Sequence, residues 1–125
     1  MLHDAPAMLA LCDEADLASL NRSPLAMGLL TAKITADTRF DAADIGGRQP
    51  EWLRRFVDGR PSPQWLARQD AIRDVLTTDG RTLAQAALAW IWTRSPRIPI
   101  PGSRTVTPAE ENATALAHAP CRHTP

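Results

Sequence analysis

The stretch that decides the fold is Ile98-Pro-Ile-Pro-Gly-Ser-Arg-Thr-Val-Thr-Pro-Ala-Glu-Glu-Asn112. It begins as a short apolar strand, turns at Gly102 and runs into a helix. Thr107 is placed to cap the free backbone N–H groups, Pro108 fits the first helical position, and Glu110 completes a capping box. A helix N-terminus presents unpaired donors and partial positive charge, so it favours an anion. Just ahead of it stand Gly102, the hydroxyl of Ser103 and the guanidinium of Arg104. A planar guanidinium matches two phosphate oxygens at once. Local chemistry leaves two readings open. Most strand–turn–helix corners bind nothing, and Glu110 and Glu111 put negative charge near this one; alternatively, it holds a nucleotide phosphate.

Working outward, 125 residues suit one domain, here 1–125, and 44% hydrophobic residues suffice for a core. Net charge is zero with no dense basic run, which argues against nucleic acid or an anionic membrane as the main partner. Cys12 and Cys121 lie far apart without metal-type spacing, and reduced thiols in a cytoplasmic protein are the expectation. Met1 is followed by His3 and Asp4, not by the basic region and apolar core of a signal peptide. The apolar stretch Leu83 to Trp92 is too short to span a bilayer. His3, His118 and His123 sit near the ends, in no zinc-site spacing, so no metal ligands are assigned. Ser23 has no visible His–Asp partnership, so nucleophilic catalysis is unsupported.

Taken in order, the chain predicts a helix over Pro6 to Glu14, with Met8, Leu9, Leu11 and Cys12 on its apolar face, then a short strand over Leu17 to Leu20. A loop punctuated by Pro24 and Gly28 follows. Residues 34–62 are irregular, except for a short helix expected over Pro50 to Val57 with Trp52, Leu53, Phe56 and Val57 inward. A helix spans Pro63 to Leu76, with Trp65, Leu66, Ile72, Val75 and Leu76 as its buried stripe, and Asp79-Gly80 closes it. Thr82 and Gln85 cap a helix over Leu83 to Thr93 that is apolar almost all round. Trp90 and Trp92 point in different directions on it, so at least one of them needs a further surface. Strand Ile98 to Ile100 and a last helix over Pro108 to Ala117 complete the βα-type order. The fold class is α/β, mostly helical, with about two short parallel strands and a candidate loop directly after each.

Four segments carry a resemblance. They are Ser23-Pro24-Leu25 with Gly-Leu-Leu-Thr-Ala-Lys33, the Gly59-Arg-Pro loop, Leu83-Ala-Gln-Ala-Ala-Leu-Ala-Trp90, and Ile100-Pro-Gly-Ser-Arg104 with Glu110-Glu-Asn112. In this order the set resembles the C-terminal part of the aldo-keto reductases. The resemblance implies the last portion of a TIM (β/α)8 barrel and an NADPH site. Ser23 and Leu25 would meet the pyrophosphate, with Lys33 nearby. Gly102 and Arg104, beside Ser103, would meet the adenosine 2′-phosphate, and Glu111 and Asn112 the adenine. Arg22 stands where many members carry an aromatic ring, Ala32 where they carry glycine, and Pro108 where many carry Arg or Gln.

The same resemblance implies carbonyl reduction by hydride transfer from NADPH. The family's Asp, Tyr, Lys and His come from earlier strands, and this chain has no tyrosine. The expectation is a cofactor-binding part without catalytic residues of its own, inactive alone. It would be partnered by a missing N-terminal half or by self-association. The alternative is a non-enzymatic interaction or regulatory remnant that binds a partner subunit.

Overall fold

A computed structural model describes residues 6–44, 48, 55–77, 79–93 and 97–118. They form two compact units, one made of the described residues up to Met27 together with those from Ala84 on, the other of those from Gly28 to Leu83.

The first unit contains helix α1 (Pro6–Glu14) and strand β1 (Ser19–Arg22). From the second half of the chain come most of helix α3 (Leu83–Thr93), strand β4 (Arg97–Ile100) and helix α4 (Val106–Thr114). A 3-10 turn, Ala115–His118, ends the described chain. β1 and β4 pair in parallel, with Ser19 opposite Arg97 and Arg22 opposite Ile100. Two short parallel strands were expected, but the first lies two residues later than Leu17 to Leu20. Leu17 is 55% exposed. The apolar face assigned to α1 is only half covered, because Leu9 and Cys12 are partly buried while Met8 and Leu11 are exposed.

α3 is the core element of this unit. Ala84, Ala86, Ala87, Leu88, Ala89 and Ile91 are all buried, which fits a helix apolar around most of its circumference. Trp90 is exposed and Trp92 half-buried. Gln85 Nε2 donates to the Thr114 hydroxyl at 2.8 Å, tying α3 to α4.

The second unit holds a hairpin and a helix. Strands β2 (Phe56–Val57) and β3 (Arg60–Pro61) pair antiparallel, Val57 opposite Arg60. Asp58 and Gly59 turn the chain with φ 49° and 68°. Two successive left-handed residues make the primed turn that matches strand twist, and Asp-Gly favours it. The inward helix expected through Val57 is thereby corrected at its end. Phe56 is buried in the hairpin, edge-on to Phe40 with ring centroids 4.9 Å apart, and Val57 faces solvent. The part of that expectation over residues 49–54 lies outside the described residues. A Cβ at Gly59 would also stand 3.2 Å from the Phe40 carbonyl oxygen, closer than ordinary van der Waals contact.

Helix α2 (Pro63–Leu76) follows with the expected bounds. Ser62 caps it, accepting a bond from the Trp65 amide at 3.2 Å, and Pro63 fills the first position, where its missing N–H costs nothing. Its covered face follows the stripe read from the sequence in part, with Trp65 buried and Leu66, Ile72 and Leu76 half-buried. Trp65 and Gln69 are buried, whereas Val75 is 72% exposed. The guanidinium of Arg55 lies over the Trp65 ring, 5.2 Å from its centroid, and partial burial lowers its pKa. Beyond the helix, Gly80 adopts φ +81°. The Arg81 guanidinium beside it holds the exposed Asp79 carboxyl below the usual carboxylate range.

The loop after β1 forms a 3-10 turn over Ala26–Thr31. Ala32, which follows, has φ 58°. Left-handed backbone crowds a Cβ by about 1–2 kcal/mol, while glycine loses about 0.5–1 kcal/mol more unfolded-state freedom. Ala32→Gly is therefore expected to stabilise the chain by up to about 1.5 kcal/mol, read as a higher urea midpoint. A lower midpoint would contradict the left-handed assignment.

Candidate functional site

Both candidate loops leave the sheet at the same end. Because Arg22 is the register partner of Ile100, Ser23-Pro24-Leu25 and Pro101-Gly102-Ser103-Arg104 begin side by side at the carboxyl ends of two parallel strands. In open and closed parallel sheets this is the end where ligands gather. Ser23 is exposed with φ 54°, Pro24 is buried, and Leu25 is half-buried. The Ala26 amide donates to the Ser23 carbonyl at 2.9 Å and closes the turn.

Across from it, Gly102, Ser103 and Arg104 are exposed. A Cβ on Gly102 would meet nothing within 4 Å, so no protein atom there requires glycine. Asn112 Nδ2 donates to Ser103 Oγ at 3.0 Å, which fixes the corner loop to the helix it leads into. Glu111 is half-buried one residue earlier. Arg104 has no side-chain partner among the described residues.

The start of α4 differs from the expectation. The helix begins at Val106 with Thr105 as its cap residue, φ −137° and ψ 168°, and the Thr105 side chain makes no capping bond. Thr107 and Pro108 thus fall inside the first turn, and Glu110 lies beyond reach of a capping box. The missing proline N–H is among the unpaired donors in either register, so nothing in Pro108 forbids the earlier start. The shift has an electrostatic consequence. No acidic residue lies in the first turn, and Glu110 and Glu111 stand about 3 Å further along the axis than expected, at about 1.5 Å per residue.

Behind the corner lies a cavity of about 460 Å³ between α3, β4 and α4. Leu88, Ala89 and Trp92 wall one side, Pro99 and Pro101 the strand side, and Ala113 and Leu116 the helix side, with Ser103 and Asn112 as polar points. An apolar cleft with few polar groups is the usual form of a small-ligand site. Trp92, Pro99 and Pro101 were not singled out as site residues from the sequence. The available signal was that the two tryptophans of α3 diverge. Trp92 takes the cavity and Trp90 faces out.

The structure thus places Ser23, Leu25, Gly102, Ser103, Arg104, Glu111 and Asn112 in one unit. Lys33 belongs to the other, where it is exposed and its amide donates to Thr31 Oγ1 at 3.3 Å. Among the described residues, no group of three or more His, Cys, Asp or Glu side chains is arranged to hold a metal ion. No described helix is long and apolar enough to cross a membrane.

Residues 1–122 match the aldo/keto reductase family. The chain belongs to that family. It is 28% identical over 107 residues to the chloroplastic pyridoxal reductase of Arabidopsis thaliana, an overlap of 86% of this chain and 26% of the relative. It superposes on a glycerol dehydrogenase from Gluconobacter oxydans with a TM-score of 0.61 and 20% identity, covering 93% of this chain and 40% of that one. The second likeness concerns the fold. This aldo/keto reductase chain spans about a quarter of the first relative and two fifths of the second.

Proposed function

We propose that this chain is the cofactor-binding C-terminal portion of an NADP-dependent aldo/keto reductase barrel, the part that seats the adenosine end and pyrophosphate of NADPH. The observation that carries the reading is the register that starts the Ser23 and Gly102 loops side by side at one sheet end. Four further features support it. The open space over Gly102 lets a ligand approach the backbone closely. The first turn of α4 has uncapped donors and no carboxylate. Arg104 is exposed without a competing acidic partner among the described residues. The cavity lined by Trp92, Pro99 and Asn112 is of a size and polarity suited to a purine ring. In this assignment Arg104 and Ser103 hold the 2′-phosphate, Ser23 and Leu25 the pyrophosphate, and Glu111 and Asn112 the adenine.

NADPH supplies a hydride to a carbonyl carbon. This chain's residues bind and orient, and the proton for the carbonyl oxygen comes from elsewhere, because the sequence contains no tyrosine.

The test is a tryptophan-fluorescence titration with NADPH. Trp92 is the expected reporter. Arg104→Ala removes a charge-assisted contact worth about 1.5–3 kcal/mol, which weakens NADPH about 10- to 100-fold and NADH far less. Silence from the wild-type chain, or equal affinity of the variant, rejects the reading.

One observation favours a second reading, that the chain is an interaction subunit. Leu20, Ile98 and Ile100, at alternate positions of the two strands, are 64%, 37% and 48% exposed. An apolar sheet face of this kind fits a complementary chain or a second copy. A chain that self-associates on a sizing column and binds no nucleotide hands the assignment to this reading.

A further inference from the structure

Ser103 and Asn112 stand nine residues apart, on the corner loop and on α4, and meet through one hydrogen bond: Asn112 Nδ2 donates to Ser103 Oγ at 3.0 Å. Both line the cavity behind the corner, and both belong to the same compact unit. Ser103 is exposed and Asn112 half-buried, so the pair joins the open corner to the cavity wall. Among the described residues, neither Asn112 Oδ1 nor the Ser103 hydroxyl proton has a partner.

As a tie between loop and helix, the bond would serve in either sense. A hydroxyl both donates and accepts, and an amide can turn to offer its oxygen or its nitrogen. A ligand that only accepts removes this freedom. A phosphate monoester, with a second pKa of about 6, is such a ligand at about pH 8, and it takes the Ser103 proton. Ser103 Oγ is then left as an acceptor, which demands the Nδ2 side of Asn112 and turns Oδ1 away. The amide thereby offers an acceptor to a base. Adenine carries an amino donor on its six-membered ring where hypoxanthine carries a carbonyl.

We propose that Ser103 and Asn112 form an oriented relay through which the 2′-phosphate of NADPH sets the base preference of the cavity. The phosphate accepts from Ser103 Oγ, Ser103 Oγ accepts from Asn112 Nδ2, and Asn112 Oδ1 accepts from the adenine amino group. The proposal rests on the reading that this corner takes the 2′-phosphate and Asn112 the adenine. It makes the two recognitions interdependent, because chained hydrogen bonds share one direction and polarise one another.

The experiment titrates the full chain, by tryptophan fluorescence at about pH 8, with NADPH, NADH and the hypoxanthine counterpart of each. The wild type is expected to prefer NADPH to its counterpart about tenfold, and NADH to its counterpart less than about threefold. Ser103→Ala is expected to bring the NADPH preference below about threefold, because the amide is then free to turn. Ser103→Thr, which keeps the hydroxyl, retains the preference. A serine that only touches phosphate gives a different result: Ser103→Ala weakens NADPH and its counterpart by the same factor. That result overturns the proposal, as does loss of the preference in Ser103→Thr. Equal preferences with and without the 2′-phosphate overturn it too, as does a wild type that binds NADPH without discriminating the base. If the NADH pair binds too weakly to titrate, the two Ser103 variants decide alone. If the wild-type chain binds none of the four, the cofactor reading itself fails and takes this proposal with it.

Discussion

Leu29→Ala is expected to destabilise the chain by about 3–5 kcal/mol, in the upper part of the range for a buried leucine. The leucine is fully buried, at 0% exposure. What sets the cost within that range is how far the surroundings collapse into the space left behind. Here collapse is hindered, because the residue's own carbonyl is held by Gln69 at 2.6 Å. The turn is closed again one step on, where Thr31 Oγ1 donates to the Gly28 carbonyl at 2.6 Å. The backbone therefore cannot slide inward, and the cavity persists. A domain's stability is about 0.05–0.15 kcal/mol per residue, so this single change removes a large share of the total. The check is urea unfolding with an unchanged slope and a lower midpoint. A loss below about 1 kcal/mol, well under the range for such sites, would mean that the turn gives way and that the two anchors do not act together.

That pair of anchors also shows where sequence reasoning stops. The bounds of helices α2 and α3 were legible, because Ser62-Pro63 opens the first and α3 is continuously apolar, although α2 closes on Thr77 and not at Asp79-Gly80. The buried face of α2 was legible only in part. Its apolar periodicity includes Val75, which is exposed, and omits Gln69, which is buried. Gln69 is covered because its partner lies 40 residues away, and no local period encodes that. The hairpin was legible in principle, since Asp58-Gly59 is a strong turn signal, but the apolar residues from Trp52 to Val57 also fit helical spacing. At the site, the order of the two loops and their motifs could be read. Their adjacency needed the pairing of Arg22 with Ile100. The register of α4 misled for a local reason: Thr107-Pro108 makes as good a helix start on paper as Thr105-Val106 does in the fold.

Ala86→Asp is expected to cost about 4–6 kcal/mol at neutral pH, combining about 3–5 for an uncompensated buried charge with up to about 0.7 in helix propensity. Ala86 is 1% exposed at the middle of α3, flanked by Ala84 at 1% and Ala89 at 2%. There is no room for a carboxylate to reach water, and alanine offers the helix its least crowded surface. The pH dependence follows from linkage. Burial raises the folded-state pKa of the new carboxyl above its unfolded value of about 3.9. Between the two values the folded state binds more protons than the unfolded one, so stability falls as pH rises through that window. Below about pH 4 both states are neutral, and the charge component of the penalty disappears. Urea unfolding at pH 4 and pH 7.5, each referred to the wild type, should show most of the loss only at the higher pH. The same helix carries Leu88, Ala89 and Trp92 into the cavity wall, so any nucleotide binding should fail in step with folding and recover with it. Equal penalties at both pH values would mean that the carboxylate reaches solvent, and that α3 is not the covered centre of its unit.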